Sequence, residues 1–187
     1  MTQEGRAATQ ADEPLGVGRA LTFEELYQQY FDFTWRVLRN LAVRSLALED
    51  VAQEVWTVVH RRLPEFEQRS SVRTWLFGIA RNVARNQRRS ERRHQEIELL
   101  PDTIPSDDAD PEALRCSRET WSSLIRFLDA LEEQDRAIFV CNLIEDLSAQ
   151  ETAAAVGVQV MIVYQRVRTL RRLAKDWLEL HEEGSSS

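Results

Sequence analysis

Arg81, Arg85, Arg88 and Arg92 stand four, three and four positions apart. A helix turns about 100° per residue, so the four fall within about 60° of one another, with Leu76, Ile79 and Val83 on the opposite side. One face is then a row of guanidiniums and the other an apolar stripe. Like charges at this spacing, without acids interleaved, repel by about 0.2–0.5 kcal/mol per pair. A nucleic-acid backbone relieves that repulsion, and the forked guanidinium suits its phosphates. A solvated face balanced by an acidic loop is the competing reading. Phe66, Trp75 and Phe77 lie beside the row, where rings stack unpaired bases. Trp75 also falls on the apolar stripe and would serve there as core, whereas Phe77 falls off it.

A second signature lies in LSAQETAAAVGVQVMIVYQRVRTLRRL, residues 147–173. Ser148 with Glu151 three positions on forms a capping box. Ala153 is small enough for a close helix crossing, and Gly157 can take the left-handed conformation of a tight turn. Val158 and Val163 supply apolar anchors. This is the spacing of a helix-turn-helix over about residues 148–168, with an ordinary helical hairpin as the alternative. The second helix, starting at Gln159, would turn Met161, Ile162, Tyr164, Gln165, Arg166, Arg168 and Thr169 outward. Its N-terminal part would meet base edges, Arg166 suiting guanine and Met161 or Ile162 a thymine methyl. Arg171, Arg172 and Lys175 would meet phosphates.

Charge is blocked along the chain. Net charge is −7, yet residues 69–94 carry eight arginines against one acid, and residues 95–114 carry seven acids and no base. Such a chain is built to place positive charge at one site and is not a general polyanion binder. Catalytic chemistry finds little footing: His60, His94 and His181 are scattered, and no glycine loop cradles a phosphate. Cys116 and Cys141 lie 25 positions apart with no C-x-x-C pair. No metal, cofactor or disulfide framework is expected, and the thiols fit a reducing, cytoplasmic compartment. No apolar run approaches the roughly 20 residues of a membrane span.

The elements that must position these groups are helical. Phe23, Leu26, Tyr27, Tyr30, Thr34, Val37, Leu38 and Leu41 follow three/four spacing. Leu48, Val51, Ala52, Val55, Trp56, Val59 and Leu63 mark a second helix stopped by Pro64. A third begins after Ser70 and Ser71, which are N-cap residues by type. Residues 95–114, with three prolines, read as a linker, and helical spacing resumes from Trp121. The expected class is all-α: two small helical domains, 21–94 and 115–181, joined by the acidic linker. A disordered leader (1–20) and tail (182–187) flank them.

The residues quoted resemble the extracytoplasmic-function (ECF) class of bacterial sigma factors. LEDVAQEVWTVVHRRLPEF and SSVRTWLFGIARNVARNQRR are similar to sigma region 2. LEEQDRAIFVCNLIEDLSAQETAAAVGVQVMIVYQRVRTLRRL is similar to region 4. The resemblance covers about residues 23–93 and 118–178. It implies a non-enzymatic initiation factor that binds core RNA polymerase, through the β′ clamp and β flap, and promoter DNA. It also implies an anti-sigma factor as partner. Asp50, Gln53, Glu54 and Trp56 would lie on the clamp-binding helix. Phe66, Arg73, Trp75, Arg81, Asn82, Arg85 and Arg88 would bind and melt the minus-ten element. Met161, Ile162, Tyr164, Gln165, Arg166, Arg168, Arg171 and Arg172 would read the minus-thirty-five element. The linker would thread through the polymerase toward the RNA exit path. Gly78 stands where the family often has an aromatic residue or Arg, Glu132 replaces a common proline, and Met161 and Ile162 replace small or polar residues. A stand-alone helix-turn-helix regulator is the alternative reading.

Overall fold

The computed structural model describes residues 21–41, 47–95 and 122–183. The leader, residues 184–187, Cys116 and the acidic stretch from residue 96 lie outside the described residues, whereas residues 182 and 183, expected in the tail, are helical. All the described elements are helical. Helix α1, Phe23–Asn40, opens on a capping box in which the Thr22 hydroxyl accepts from the Glu25 amide and the Glu25 carboxylate accepts from the Thr22 amide. Helix α2, Leu48–Arg62, runs into a single 3₁₀ turn, Leu63–Glu65, where Pro64 cannot continue the α-helical ladder. Helix α3, Val72–Gln95, starts at Ser71, whose hydroxyl accepts from the Thr74 amide at 3.2 Å.

In the second half, residues 122–130 form α4 and Glu133–Ile138 form α5. A π-helical stretch, Phe139–Ile144, continues α5. Arg136 is buried, and its guanidinium donates to the carbonyls of Leu128, Asp129 and Leu131 at 2.6, 3.2 and 2.9 Å. These are carbonyls at the end of α4 and in the turn after it, where helical donors run out; Leu128 also accepts from the Leu131 amide at 3.2 Å, and the guanidinium adds to this and fixes α4 to α5. Helix α6, Ala149–Val156, has the Ser148–Glu151 capping box and ends at Gly157 with φ 75°. Helix α7, Val160–Glu183, follows at once.

In the first half, α1, α2 and α3 pack around Leu26, Leu38, Val55, Val59 and Leu76, all essentially inaccessible. Each such side chain contributes about 1.5–3 kcal/mol by leaving water. The second half closes on Leu128, Ile138, Val140, Val163 and Leu170. The two cores are continuous: α3 packs on α1 and α2 with one side and on α6 with another. That explains Phe77. Its position off the Trp75 stripe suggested an exposed ring, but it is 0% exposed because α3 is covered on two sides. The burial of Leu76, Phe77, Ile79, Ala80, Val83 and Ala84 is too wide a band for a helix with one covered face. Gly78 lies at this crossing; a Cβ there would stand 3.7 Å from the Ala155 carbonyl oxygen.

Candidate nucleic-acid interface

The capping box of α6 and the left-handed Gly157 set the turn. The Gly157 and Val158 amides both donate to the Ala153 carbonyl, at 2.9 and 3.0 Å, closing α6. Ala153 and Val163 are buried where α6 crosses α7, and the Gln159 carbonyl accepts from Ile162 and Val163 to start the next helix. The outward face of α7 then carries Met161 at 64% and Tyr164 at 57% exposure. Gln165, Arg166, Arg168, Arg171 and Arg172 are exposed beside them, whereas Ile162 and Thr169 are half-buried. Arg166 pairs with Asp135 of α5 at 3.5 Å, while staying half exposed. A helix that presents cations, amides and apolar tips along one open face can lie in a DNA major groove.

The arginines of α3 have a different environment. Arg81 donates to the Val156 carbonyl at 3.0 Å and lies 3.9 Å from Glu133. Arg88 donates to Asp129 at 3.1 Å and to the Leu41 carbonyl at 3.2 Å. Both side chains are only 17% exposed. Arg85 lies 3.9 Å from Glu133 and is more open. Burial holds the Arg81 guanidinium below its ordinary value, with Glu133 acting in the opposite direction and the neighbouring Arg85 adding to the lowering. The acids missing from the α3 sequence are therefore supplied by α4 and α5. Asn82, Arg85 and Arg89 face solvent, so α3 presents an exposed polar strip beside an engaged one. The side chain of Arg92 lies outside the described residues.

Near the start of α3, Arg73 lies under the turn that follows the π-helical stretch. It donates to the Glu145 carbonyl at 2.6 Å, and its guanidinium sits 5.0 Å above the Phe33 ring. Glu145 itself is 3% exposed in its side chain; its Oε2 accepts from Arg36 at 3.1 Å and lies 3.8 Å from Arg73. Its Oε1 is buried without a hydrogen-bond partner, as is Nε of Arg81. Such unpaired buried atoms cost about 1–3 kcal/mol each, more where the group is charged. Phe66 and Trp75 are both half-buried and stack on each other at 4.5 Å with 26° between planes. Ser71 donates to Glu151 Oε1 at 2.8 Å, joining the cap of α3 to the cap of α6. Burial acts to raise the Glu151 carboxyl. Hydrogen bonds from the Ser148 hydroxyl and amide and from Ser71, with the Arg73 charge, outweigh it and hold the group below the usual carboxylate range.

On the far side of the first half, Asp50, Gln53 and Glu54 are exposed on α2. Trp56 is buried at 5%, within an aromatic group: Tyr27 at 4.9 Å and Phe23 at 5.9 Å, with His60 against Phe23 at 5.1 Å. Phe23, Gln53, Trp56, Thr57, His60 and Arg61 line an open cleft of about 300 Å³. The Trp56 indole N–H has no hydrogen-bond partner. Of the polar residues read from the sequence, Gln53 thus edges an aromatic cleft that sequence spacing did not reveal. Its rings come from α1 as well as α2. Among the described residues no group of three or more His, Cys, Asp or Glu is placed to hold a metal ion.

Residues 26–94 match the family model for sigma-70 region 2. The chain is 32% identical over 142 residues to the ECF RNA polymerase sigma factor SigX of Bacillus subtilis, covering 72% of each chain. It is 30% identical over 162 residues to the ECF RNA polymerase sigma factor RpoE of Cereibacter sphaeroides, covering 85% of each. The chain belongs to the ECF RNA polymerase sigma factors. Against a third ECF sigma factor, SigE of Mycolicibacterium smegmatis, identity is 29% over 168 residues; the match takes in 88% of this chain and 65% of that relative's length.

The sigma-factor fold is shared with solved structures. RpoE in its complex with the anti-sigma factor NepR from Bartonella quintana superposes with a TM-score of 0.69 at 19% identity, over 84% of this chain and 96% of that one. CnrH in complex with the cytosolic domain of CnrY gives 0.65 at 20% identity, over 84% and 88%. Within this sigma factor the carboxylates that meet α3, namely Asp129, Glu133 and Glu145, were not legible as site residues. They are separated from their arginines by 41 to 109 positions, and no local spacing marks them.

Proposed function

We propose that the chain directs core RNA polymerase to promoters, recognising and opening them without catalytic activity of its own. Residues 21–94 would dock on the polymerase through Asp50, Gln53, Glu54 and the cleft beside Trp56, and would hold minus-ten DNA with Arg85, Asn82 and the Phe66–Trp75 stack. Residues 115–181 would read the minus-thirty-five element with the open face of α7. Melting would draw on binding energy, since unstacking costs a few kcal/mol per base and stacking on a ring returns about 1–3. The observation that carries this reading is the pairing of two things in one chain: a region 2 match and a capped helix-turn-helix whose second helix exposes Met161, Tyr164, Gln165, Arg166 and Arg168.

No helix among the described residues is long and apolar enough to cross a membrane. We place the protein in the cytoplasm, where polymerase and an anti-sigma partner would reach it. Run-off transcription with purified core polymerase on a pool of promoter fragments tests the reading. Specific transcripts should appear only when the chain is added. Unchanged initiation, together with tight duplex binding by the chain alone, would favour the stand-alone regulator.

A further inference from the structure

We infer that Gln165 and Met161 of α7 set the base preference of this chain: Gln165 takes an adenine and Met161 a thymine methyl, within one or two base pairs of each other. The inference rests on the reading of α7 proposed above and says which bases that face selects. The two residues stand four positions apart, so their side chains point within about 40° of one another. Val163 and Leu170, 0% and 1% exposed, lie on roughly the opposite side of the helix. Met161 and Gln165 therefore sit at the crest of α7, furthest from the core, and both are exposed. Ile162, the other apolar candidate for a thymine methyl, is half-buried.

A helix seated in the major groove meets base edges with its N-terminal part, here the first two turns from Val160. In those turns Gln165 is the hydrogen-bonding side chain at the crest. Tyr164 and Arg166 flank it, each about 100° away, and Arg166 reaches sideways to Asp135 of α5 at 3.5 Å. Thr169, one turn on, is half-buried and spends its hydroxyl on its own helix, donating to the Gln165 carbonyl at 3.3 Å. Among the described residues no side chain bonds the Gln165 side-chain amide. That amide sets one acceptor beside its donors. Adenine alone presents the matching pair in the major groove, N7 to accept and the N6 amino group to donate. Guanine presents two acceptors and would leave the Gln165 side-chain oxygen unpaired. Four residues span about 6 Å along the helix and base pairs repeat about every 3.4 Å, which sets the spacing between the adenine and the methyl.

Selection from promoter duplexes randomised across the minus-thirty-five region, bound by the full chain with core polymerase, tests the assignment. Wild type should favour adenine at one position by about five- to 150-fold. Gln165→Ala should remove that preference at that position alone. Gln165→Arg should turn it to guanine, whose O6 and N7 suit a guanidinium. Met161→Ala should lower a thymine preference one or two base pairs away. Variants that keep every wild-type positional preference, or that weaken all sequences evenly, would overturn the assignment. The minus-thirty-five reading of α7 would then still stand, because selection persists. A wild-type pool with no preference anywhere in that region would overturn both.

Discussion

Helices α3 and α7 are each 24 residues long, and both carry arginines at three/four spacing, yet they end up in opposite surroundings. Along α7, Arg166, Arg168, Arg171 and Arg172 stand open to solvent, with one exposed ion pair from Arg166 to Asp135. Along α3, Arg73, Arg81 and Arg88 are drawn against carbonyls and carboxylates of other elements. Local pattern makes both helices amphipathic and basic. What packs against them decides whether the charge is available. The short, alanine-rich α6 lets α3 approach closely enough for the neighbouring acids to reach.

The largest expected effect separates the two helices by ionic strength. Replacing Arg81, Arg85 and Arg88 with Gln should lower the slope of log affinity against log salt by up to about one unit for each phosphate no longer bound. The effect should appear for promoter DNA bound by the chain together with core polymerase. For the free chain, whose α3 arginines are engaged, the change should be smaller. Equal changes in both settings would erase the distinction between the helices. Next, Arg166→Ala on the open helix should weaken minus-thirty-five-dependent promoter binding by about 1–3 kcal/mol, with discrimination reduced at one base pair. A uniform weakening across sequences would make it a phosphate ligand instead.

The ground beneath the Glu145 turn can be probed by pH. Cys141 is buried, and burial pushes its thiol from the ordinary 9.0 up to about 12. The thiol is therefore neutral in the folded chain while the unfolded chain ionises first. Its stabilising contribution is complete below about pH 9 and declines as pH climbs toward about 12. Denaturant unfolding should show wild type losing up to about 1.4 kcal/mol per pH unit more than Cys141→Ala across that range. Parallel pH profiles would mean the thiol is solvated. The smallest effect belongs to Gly78→Ala. Its new Cβ would stand at an ordinary 3.7 Å from the Ala155 carbonyl, so helix propensity should dominate and stabilise by up to about 1 kcal/mol. A clear drop in thermal stability would show that α3 and α6 cross more tightly than this.

Much of this molecule is readable from local chemistry. Thr22, Ser71 and Ser148 cap where hydroxyl residues are expected to, Pro64 ends α2, and Gly157 supplies the left-handed residue between α6 and α7. Most of the outward set of α7 follows from its period because one side of that helix stays open; Ile162 and Thr169, at the edge of that side, are half-buried. Phe77 did not follow, because a helix covered on two sides buries residues that one stripe leaves out. The engaged state of Arg73, Arg81 and Arg88 was equally out of reach: its cause is Asp129, Glu133 and Glu145, whose approach depends on how the halves meet. The aromatic cleft beside Trp56 joins residues of α1 and α2, and only the packing of those helices assembles it.

On the reading proposed here, this sigma factor's two DNA-facing helices act together only after docking on polymerase. The decisive quantity is promoter affinity at one fixed salt concentration, for the chain alone and for the chain with saturating core enzyme. Weak, sequence-indifferent binding is expected for the chain alone, and tight, promoter-selective binding with the enzyme. Equally tight and selective binding in both cases would mean that the helices need no docking to cooperate.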